Sequence, residues 1–545
     1  MGRSRLWIAA AVFCSLSRLC LGADYYVSPA GSDADPGARE KPWRSLGKAN
    51  ASLQPGDTVH IVAGVYDEPI RPKASGAGED RRITYRAVPG HKVNAKKGID
   101  LKGKSYVTVA AIDVINPPGA WGSMDEADHC VVRNSIMSGG TGWTGFGMSG
   151  RFNKAGKALA ASHHNVFRRN TCYGKTHNDA LVLWWNSHHN LVEDCIFVDA
   201  KHILVSLAGH GTESPLIPHH NVVRNCCLTN ALHTAMKTST GARSNLFERN
   251  VITAAEGNGL QIASSREILR GNVILRSGAK RPWTGAFGQY TNVYKGNWFA
   301  GFAPEGQNSK VQDCRFYNNT AAGNPGCAVF YSYSREGARH ELVGLGLNVY
   351  VNNIFWRNGL KRKNIEISYT GASWSYCNRM KRPDTYRHNL IGKRGAQILE
   401  FRGPKTLEQA RSAAGIVFEG NVQGDPLFAE KQEWPCRLQR KSPCIDAGAP
   451  LTRTTAAGEG TTLTVEDAAY FCDGWGILPA DVIQVGKGRV LVKAIPDKNT
   501  ILLAAPQKWG KGDAVSLPYS GPAPDIGAHE VGLERRIGSP IFDFR

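Results

Sequence analysis

The sequence predicts an all-β solenoid of stacked three-strand coils, a parallel β-helix, and three observations carry that prediction. First, a short phrase recurs through the middle of the chain: HCVVRN at 129–134, HNVFRRN at 164–170, HNLVEDC at 189–195, HNVVRNC at 220–226, SNLFERN at 244–250 and TNVYKGN at 291–297. Its Asn165, Asn190, Asn221, Asn245 and Asn292 lie 25, 31, 24 and 47 residues apart, and REILRGN at 266–272 divides the longest gap. A period of this size, made of short β-rich phrases and turn residues, marks units that must stack to bury a core. Second, each unit holds three short strands, the third being DALVLWW (179–185), HILVSL (202–207), HTAMKTS (233–239), GLQIAS (259–264) or, less cleanly, GAFGQY (285–290). Third, a polar or thiol residue returns at one turn: Asn170, Cys195, Cys226, Asn250, Asn272 and Asn297. Stacked Asn side chains there satisfy turn amides that would otherwise be buried unpaired. A leucine-rich repeat has a similar length, but its Leu-x-x-Leu-x-Leu signature is missing, and a propeller blade needs about 40 residues.

In chain order, MGRSR followed by LWIAAAVFCSLSRLCL and the small Gly22 and Ala23 read as an export signal over 1–23, which implies a secreted or periplasmic protein. Arg18 interrupts the segment, and its apolar run is shorter than the ~20 residues that span a bilayer, so membrane insertion is not expected. Next come DYYVSPAGSDADPG (24–37), KPWRSLGKANASLQPGDTVHIVAGVYDEPI (41–70) and RITYRAVPG (82–90). The middle phrase predicts a helix around Ser45 to Ser52, a QPGD turn and an alternating strand from Thr58 to Val62. This block resembles the opening of secreted right-handed parallel β-helix proteins of the pectate lyase-like group, which includes polysaccharide lyases and glycoside hydrolases. The resemblance implies a right-handed three-sheet helix whose N-terminal cap helix protects the first coil. SPCIDAGAP (442–450) and PAPDIGAHE (522–530) resemble phrases that close the C-terminal end in the same group. KTLEQARSAAG (405–415) predicts a short helix or cap, and 461–521 predicts a small antiparallel β barrel set before a final strand. The expected organisation is a signal at 1–23, a β-helix at 24–450, a β insert at 451–521, and a closing strand and tail at 522–545.

The 545 residues are 21% charged and 42% hydrophobic, a globular composition. The formal net charge is +20, or +17 without Arg3, Arg5 and Arg18 of the signal, and such a surface attracts polyanions. With export and no nucleic-acid motif, the expected partner is acidic polysaccharide and not nucleic acid. Eleven cysteines remain outside the signal at irregular spacings, so no disulfide framework can be read. Cys195, Cys226 and Cys314 are expected to be buried thiols in the Asn170 row, and neither a CxxC pair nor a zinc spacing is present.

In the resembled group the third strand of each coil faces the substrate groove. Strand alternation then places Thr234, Met236 and Thr238 inside, with His233, Ala235, Lys237 and Ser239 outside. The same parity exposes His202 and Ser206 on one neighbour, and Gln261 and Ala263 on the other. This set suits β-elimination on a uronate polymer, which needs a base, a cation for the carboxylate and an acid for the leaving oxygen. Lys237 is the leading base candidate and His233 the alternate base or acid. His202, Gln261 and Asp179 are candidate substrate contacts, and Arg266 or Arg281 could neutralise the carboxylate. Glycoside hydrolysis is the enzymatic alternative and needs two flanking carboxyls, for which Asp179, Asp199, Glu256 and an outward Glu366 are available without a telling spacing. A non-catalytic carbohydrate-binding or envelope protein is the third reading. No cofactor or metal is expected. Calcium, used by several families of the group, is disfavoured because the groove strands carry His, Lys and Gln, and SDAD (32–35) reads as a turn. The repeated His164, His189 and His220 are expected to stack as scaffold. In the Gly-rich loop from Gly139 to Ser162, Trp143 and Phe146 could either stack on sugars or pin the loop to the body.

Overall fold

The computed structural model describes residues 22–538 apart from 154–156, 176–177, 209–216, 240, 279–299, 305–310, 332–344, 361–363, 370–382, 430–434 and 534–536. The export segment, Arg281, the 285–290 strand, the 291–297 phrase and Asn292 and Asn297 therefore lie outside the described residues.

Three long sheets run side by side along a right-handed parallel β-helix. The first is 14-stranded, the second 10-stranded and the third 12-stranded, and sequence-adjacent coils are hydrogen-bonded neighbours in each. In the first sheet Val131–Arg133 pairs Val166–Arg168, which pairs Leu191–Glu193, all parallel and residue for residue. Val222–Arg224, Leu246–Glu248 and Ile268–Arg270 continue the series. Ile268–Arg270 then pairs with Arg315–Tyr317. On the third sheet Leu260–Ile262 pairs with the strand Ala300–Pro304. An inner column of the third sheet, Leu181, Val205, Met236, Leu260 and Phe302, is in register and buried. Each such side chain contributes about 1.5–3 kcal/mol of burial.

Near the N-terminus the helix Leu46–Ser52 starts at Ser45, whose hydroxyl accepts from the Lys48 amide at 3.0 Å. Its Leu46 and Ala49 join the same core as Val27 and Val59. SDAD is a turn in which Asp33 accepts from the Arg44 and Ser45 amides. At the far end Leu407–Arg411 is a helix with a Thr406/Gln409 capping box, and Leu407 and Ala410 are buried in the core.

The turns are held by side-chain amide ladders. The oxygen of Asn190 accepts both the backbone and side-chain N–H of Asn165, Asn221 does the same for Asn190, and Asn245 for Asn221. Glu267 ends this run by accepting from Asn245, and burial pushes its carboxyl up to about 8. A second ladder runs from Asn250 through Asn272, Asn319, Asn353 and Asn389 to Asn421. Cys195 and Cys226 occupy this second row as buried free thiols. Cys314, also buried and free, belongs to the first row, because Arg315 pairs with Ile268 and so puts Cys314 opposite Glu267.

Outside the first ladder stands a double column of half-buried histidines. His164, His189 and His220 stack face to face at 5.1 and 5.2 Å, with His129 below at 5.0 Å. A parallel column of His163, His188 and His219 stacks at 5.1 and 4.9 Å. Facing Nδ1 atoms across the columns lie 3.0, 2.9 and 2.8 Å apart, so in each neutral pair one ring donates its Nδ1–H and the other accepts it. Burial, reinforced by neighbouring imidazoles, pushes His188, His189 and His219 down to about 4.

Residues 452–516 form a six-stranded antiparallel sheet packed on the outside of the first sheet. Leu191, Val222, Leu246, Ile268, Tyr317 and Val351, from six successive first-sheet strands, share one core with Tyr470, Ile483, Val492 and Leu503. Two buried arginines reinforce the contact: Arg270 donates to both oxygens of Asp481 at 2.6 and 2.7 Å, and Arg315 donates to Asp467. The segment 522–530 contains no strand and does not close the helix end. Ile526 instead packs with Cys444 against Ile354 and Leu390 on the outer face of the second sheet, where hydrogen bonds to Asn352 and Cys444 hold it. Ile537 continues back along that face to Ile196, Cys227 and Val251.

Asn221→Leu is expected to destabilise the fold by roughly 3 kcal/mol, because it orphans the buried backbone N–H of Asn190 and removes one acceptor of its side-chain amide, and urea denaturation measures it. The histidine columns set a pH dependence. An imidazole that is harder to protonate folded than unfolded contributes stability that is complete above about pH 6.5 and lost as the pH falls toward 4. The melting temperature should therefore drop between pH 7 and 4.5, and His189→Gln should flatten that slope.

Candidate functional site

The third sheet places one outward row in register: Val182, Ser206, Lys237 and Gln261. Lys237 is half-buried, whereas Ser206 and Gln261 on either side of it are only 2% exposed. Gln261 and Ser206 were expected to be open to solvent, as was Ala263, which is also buried. The register sets the four-carbon stem of Lys237 between Ser206 and Gln261, with strands ~4.8 Å apart. Alternation also fails at the start of the Thr234–Thr238 strand. Ala235 and Met236 are both in the central core, so Ala235 is not outward. Thr234, expected inside, donates its hydroxyl to Gln261 Oε1 at 3.4 Å and lies 3.0 Å from His233 Nδ1. Thr238 is inside as expected, opposite core Leu207 and bonded to Ser264.

At the leading ends of these strands a second group forms. His202 Nδ1 lies 2.6 Å from Oδ1 of the buried Asp179, and the His202 and His233 rings are 4.9 Å apart, tilted by 39°. Burial pushes His233 well below the ordinary imidazole value, and the His202 and Lys237 charges act in the same direction. A continuous path Asp179–His202–His233–Thr234–Gln261 thus crosses the coils and ends beside Lys237. Asp179 was expected to be a direct contact, but it is buried behind His202 and holds that ring.

Arg266 is elsewhere. It lies in the turn leaving the third sheet, exposed, with φ 59°, in the row of Ser244 and His220. Glu366, expected outward, is 2% exposed, accepts from Asn358, and is pushed by burial up to about 7. It ends a third amide run through Asn324 and Asn358, so a turn amide claims the carboxylate. Asp199 is bonded to Asn230 on the neighbouring second-sheet strand. Of the two loop aromatics, Phe146 is buried against Phe167, whereas Trp143 is 55% exposed. Among the described residues no group of three or more His, Cys, Asp or Glu could hold a metal ion, and no helix is long and apolar enough to cross a membrane. Strand pattern alone could not reveal Thr234 and Asp179 as partners of the two histidines, since one depends on a break in alternation and the other on a contact between coils.

Comparison with known proteins agrees with the architecture. Residues 93–277 match the family model described as a right handed beta helix region. Together with the three parallel sheets, this makes the chain a right-handed parallel β-helix protein. A 64-residue stretch is 45% identical to the uncharacterized protein YwoF of Bacillus subtilis (strain 168); it covers 12% of this chain and 14% of that relative. XylC in complex with xylose aligns over 90% of this chain and 99% of its own at 13% identity and TM-score 0.47. The pectate lyase Pel9A aligns over 93% and 96% at 14% identity and TM-score 0.44.

His233 should remain uncharged at pH values where an ordinary histidine, near 6.5, is half protonated. Lys237→Met removes a cation beside it and should move its titration upward toward 6.5, as followed by imidazole NMR shifts.

Proposed function

We propose that the protein is a secreted carbohydrate-active enzyme that cleaves an acidic, uronate-containing polysaccharide by β-elimination. The observation that carries this reading is the placement of Lys237, an uncharged His233 and the Asp179-held His202 on adjacent strands of the third sheet, near enough for the Lys237 charge to act on His233. Elimination removes the proton on the carbon next to the sugar carboxylate. The electron pair forms a carbon–carbon double bond, and the bond to the glycosidic oxygen breaks as that oxygen takes up a proton. Lys237, in its neutral form, is assigned as the base, the ammonium it becomes then returns that proton to the leaving oxygen, and the uncharged His233 is the alternate base. His202, held by Asp179 at 2.6 Å, is assigned to contact the uronate carboxylate, a role that Arg266, in the turn leaving the third sheet, does not fill. The formal charge of +20 favours a polyanionic substrate. Hydrolysis is disfavoured because Asp179 is bonded to His202 and Glu366 to Asn358, which leaves neither as a paired groove carboxyl.

Incubation with a panel of uronate and neutral glycans tests the proposal. Products absorbing in the ultraviolet are expected from a uronate polymer; reducing ends without that absorbance would indicate hydrolysis instead. Lys237→Ala should lower the elimination rate by about 10²–10⁴-fold, the usual contribution of a positioned acid or base. Unchanged activity in that variant would remove Lys237 from the mechanism.

A further inference from the structure

We propose that Trp143 is a sugar-stacking platform at the distal end of the same groove, making the enzyme selective for substrate length. The inference rests on the assignment of the Lys237 site. Trp143 lies on the Gly-rich loop that leads into Phe146–Ser149, the third-sheet strand beside Leu181–Trp184. It is 55% exposed, although Phe146, three residues later, is fully buried. The indole is not a loose surface group. With the Asn178 amide turned so that its oxygen accepts, Trp143 Nε1 donates to it at 3.0 Å, and the Asn178 nitrogen donates to His202 Nδ1 at 2.8 Å and to Asp179 Oδ1 at 3.2 Å. Asp179 in turn holds His202. The polar edge of the ring is thus tied to the first group of the proposed site, while much of its surface stays open to solvent. An exposed aromatic face fixed by its polar edge suits the C–H face of a pyranose.

The coil order sets the spacing. Phe146–Ser149 and Thr234–Thr238 are separated in the third sheet by Leu181–Trp184 and Ile203–Ala208. Three steps of ~4.8 Å place the Trp143 coil about 14 Å from the Lys237 coil along the helix axis. That span exceeds one pyranose ring, so a monosaccharide or disaccharide at Lys237 does not reach Trp143, whereas a longer chain lying along the axis does.

The test compares wild type, Trp143→Ala, Trp143→Phe and Lys237→Ala on oligogalacturonates and oligomannuronates from dimer to hexamer, with kcat and KM measured for each length. In wild type, kcat/KM should rise steeply once the oligomer is long enough to reach Trp143. Trp143→Ala should lose roughly tenfold in kcat/KM on the long oligomers, mainly through KM, and little on the shortest; Trp143→Phe should keep most of the rise. Binding of hexamers to the Lys237→Ala variant, with and without Trp143→Ala, gives a readout independent of turnover. A length profile and hexamer affinity unchanged by Trp143→Ala would overturn the platform while leaving the Lys237 site intact. Full activity in Lys237→Ala with a Trp143-dependent profile would overturn the site assignment and the 14 Å argument, but not sugar contact at Trp143. Neither cleavage nor binding of any oligomer would overturn both.

Discussion

Every coil of this protein must turn three times, and each turn carries backbone N–H groups into an interior without water. The structure depends on how those donors are satisfied. An Asn side chain from the next coil supplies the acceptor, and its own amide is held by the coil beyond. Because the oxygen serves two donors at once, each Asn fixes the rise between coils as well as the turn. Where the row cannot continue, a buried carboxyl takes over, as Glu267, Asp384 and Glu366 do. Cys195 and Cys226 fit into a row because a thiol is small and tolerates burial.

That fixed rise gives the candidate site its geometry. His202 and His233 precede equivalent strands, so their rings meet at 4.9 Å without a loop to position them. The same spacing puts Ser206 and Gln261 beside Lys237. A solenoid of this kind builds a constellation by changing residues at repeated positions, with the backbone left alone. The histidine columns at the opposite edge of the sheet show the other outcome, in which repetition of one residue yields a stacked column.

Much of the fold was legible because it is periodic. The Asn and His phrases mark the first-sheet strands, Ser45 marks a helix start, and the β insert has its own alternation. Within the 47-residue step REILRGN supplies a rung, Ile268–Arg270, and pairing passes from it to Arg315–Tyr317, while TNVYKGN lies outside the described residues. The closing role given to 522–530 also failed, since a short apolar phrase can lie along a sheet as well as across its end. In the site, Lys237, His233 and His202 could be picked out because they break the repeat. Their partners could not: consecutive burial of Ala235 and Met236 turns Thr234 toward Gln261, and a buried Asp179 is visible only once its coil is stacked against the next. Arg266 and Glu366 were misplaced for a related reason, because residue type suggests charge chemistry while turn position decides where the charge points.

The insert also bears on how the molecule comes apart. A plain solenoid is coupled only between neighbouring coils, so it can fray from either end one unit at a time. Here a single folded sheet shares its core with six successive first-sheet strands and is tied by Arg270–Asp481 and Arg315–Asp467. None of those coils can leave without breaking contacts that belong to the others. The insert therefore converts a one-dimensional stack into one cooperative block. The coils from Leu191 to Val351, which include those carrying His202, His233 and Lys237, gain protection from local opening that the terminal coils lack.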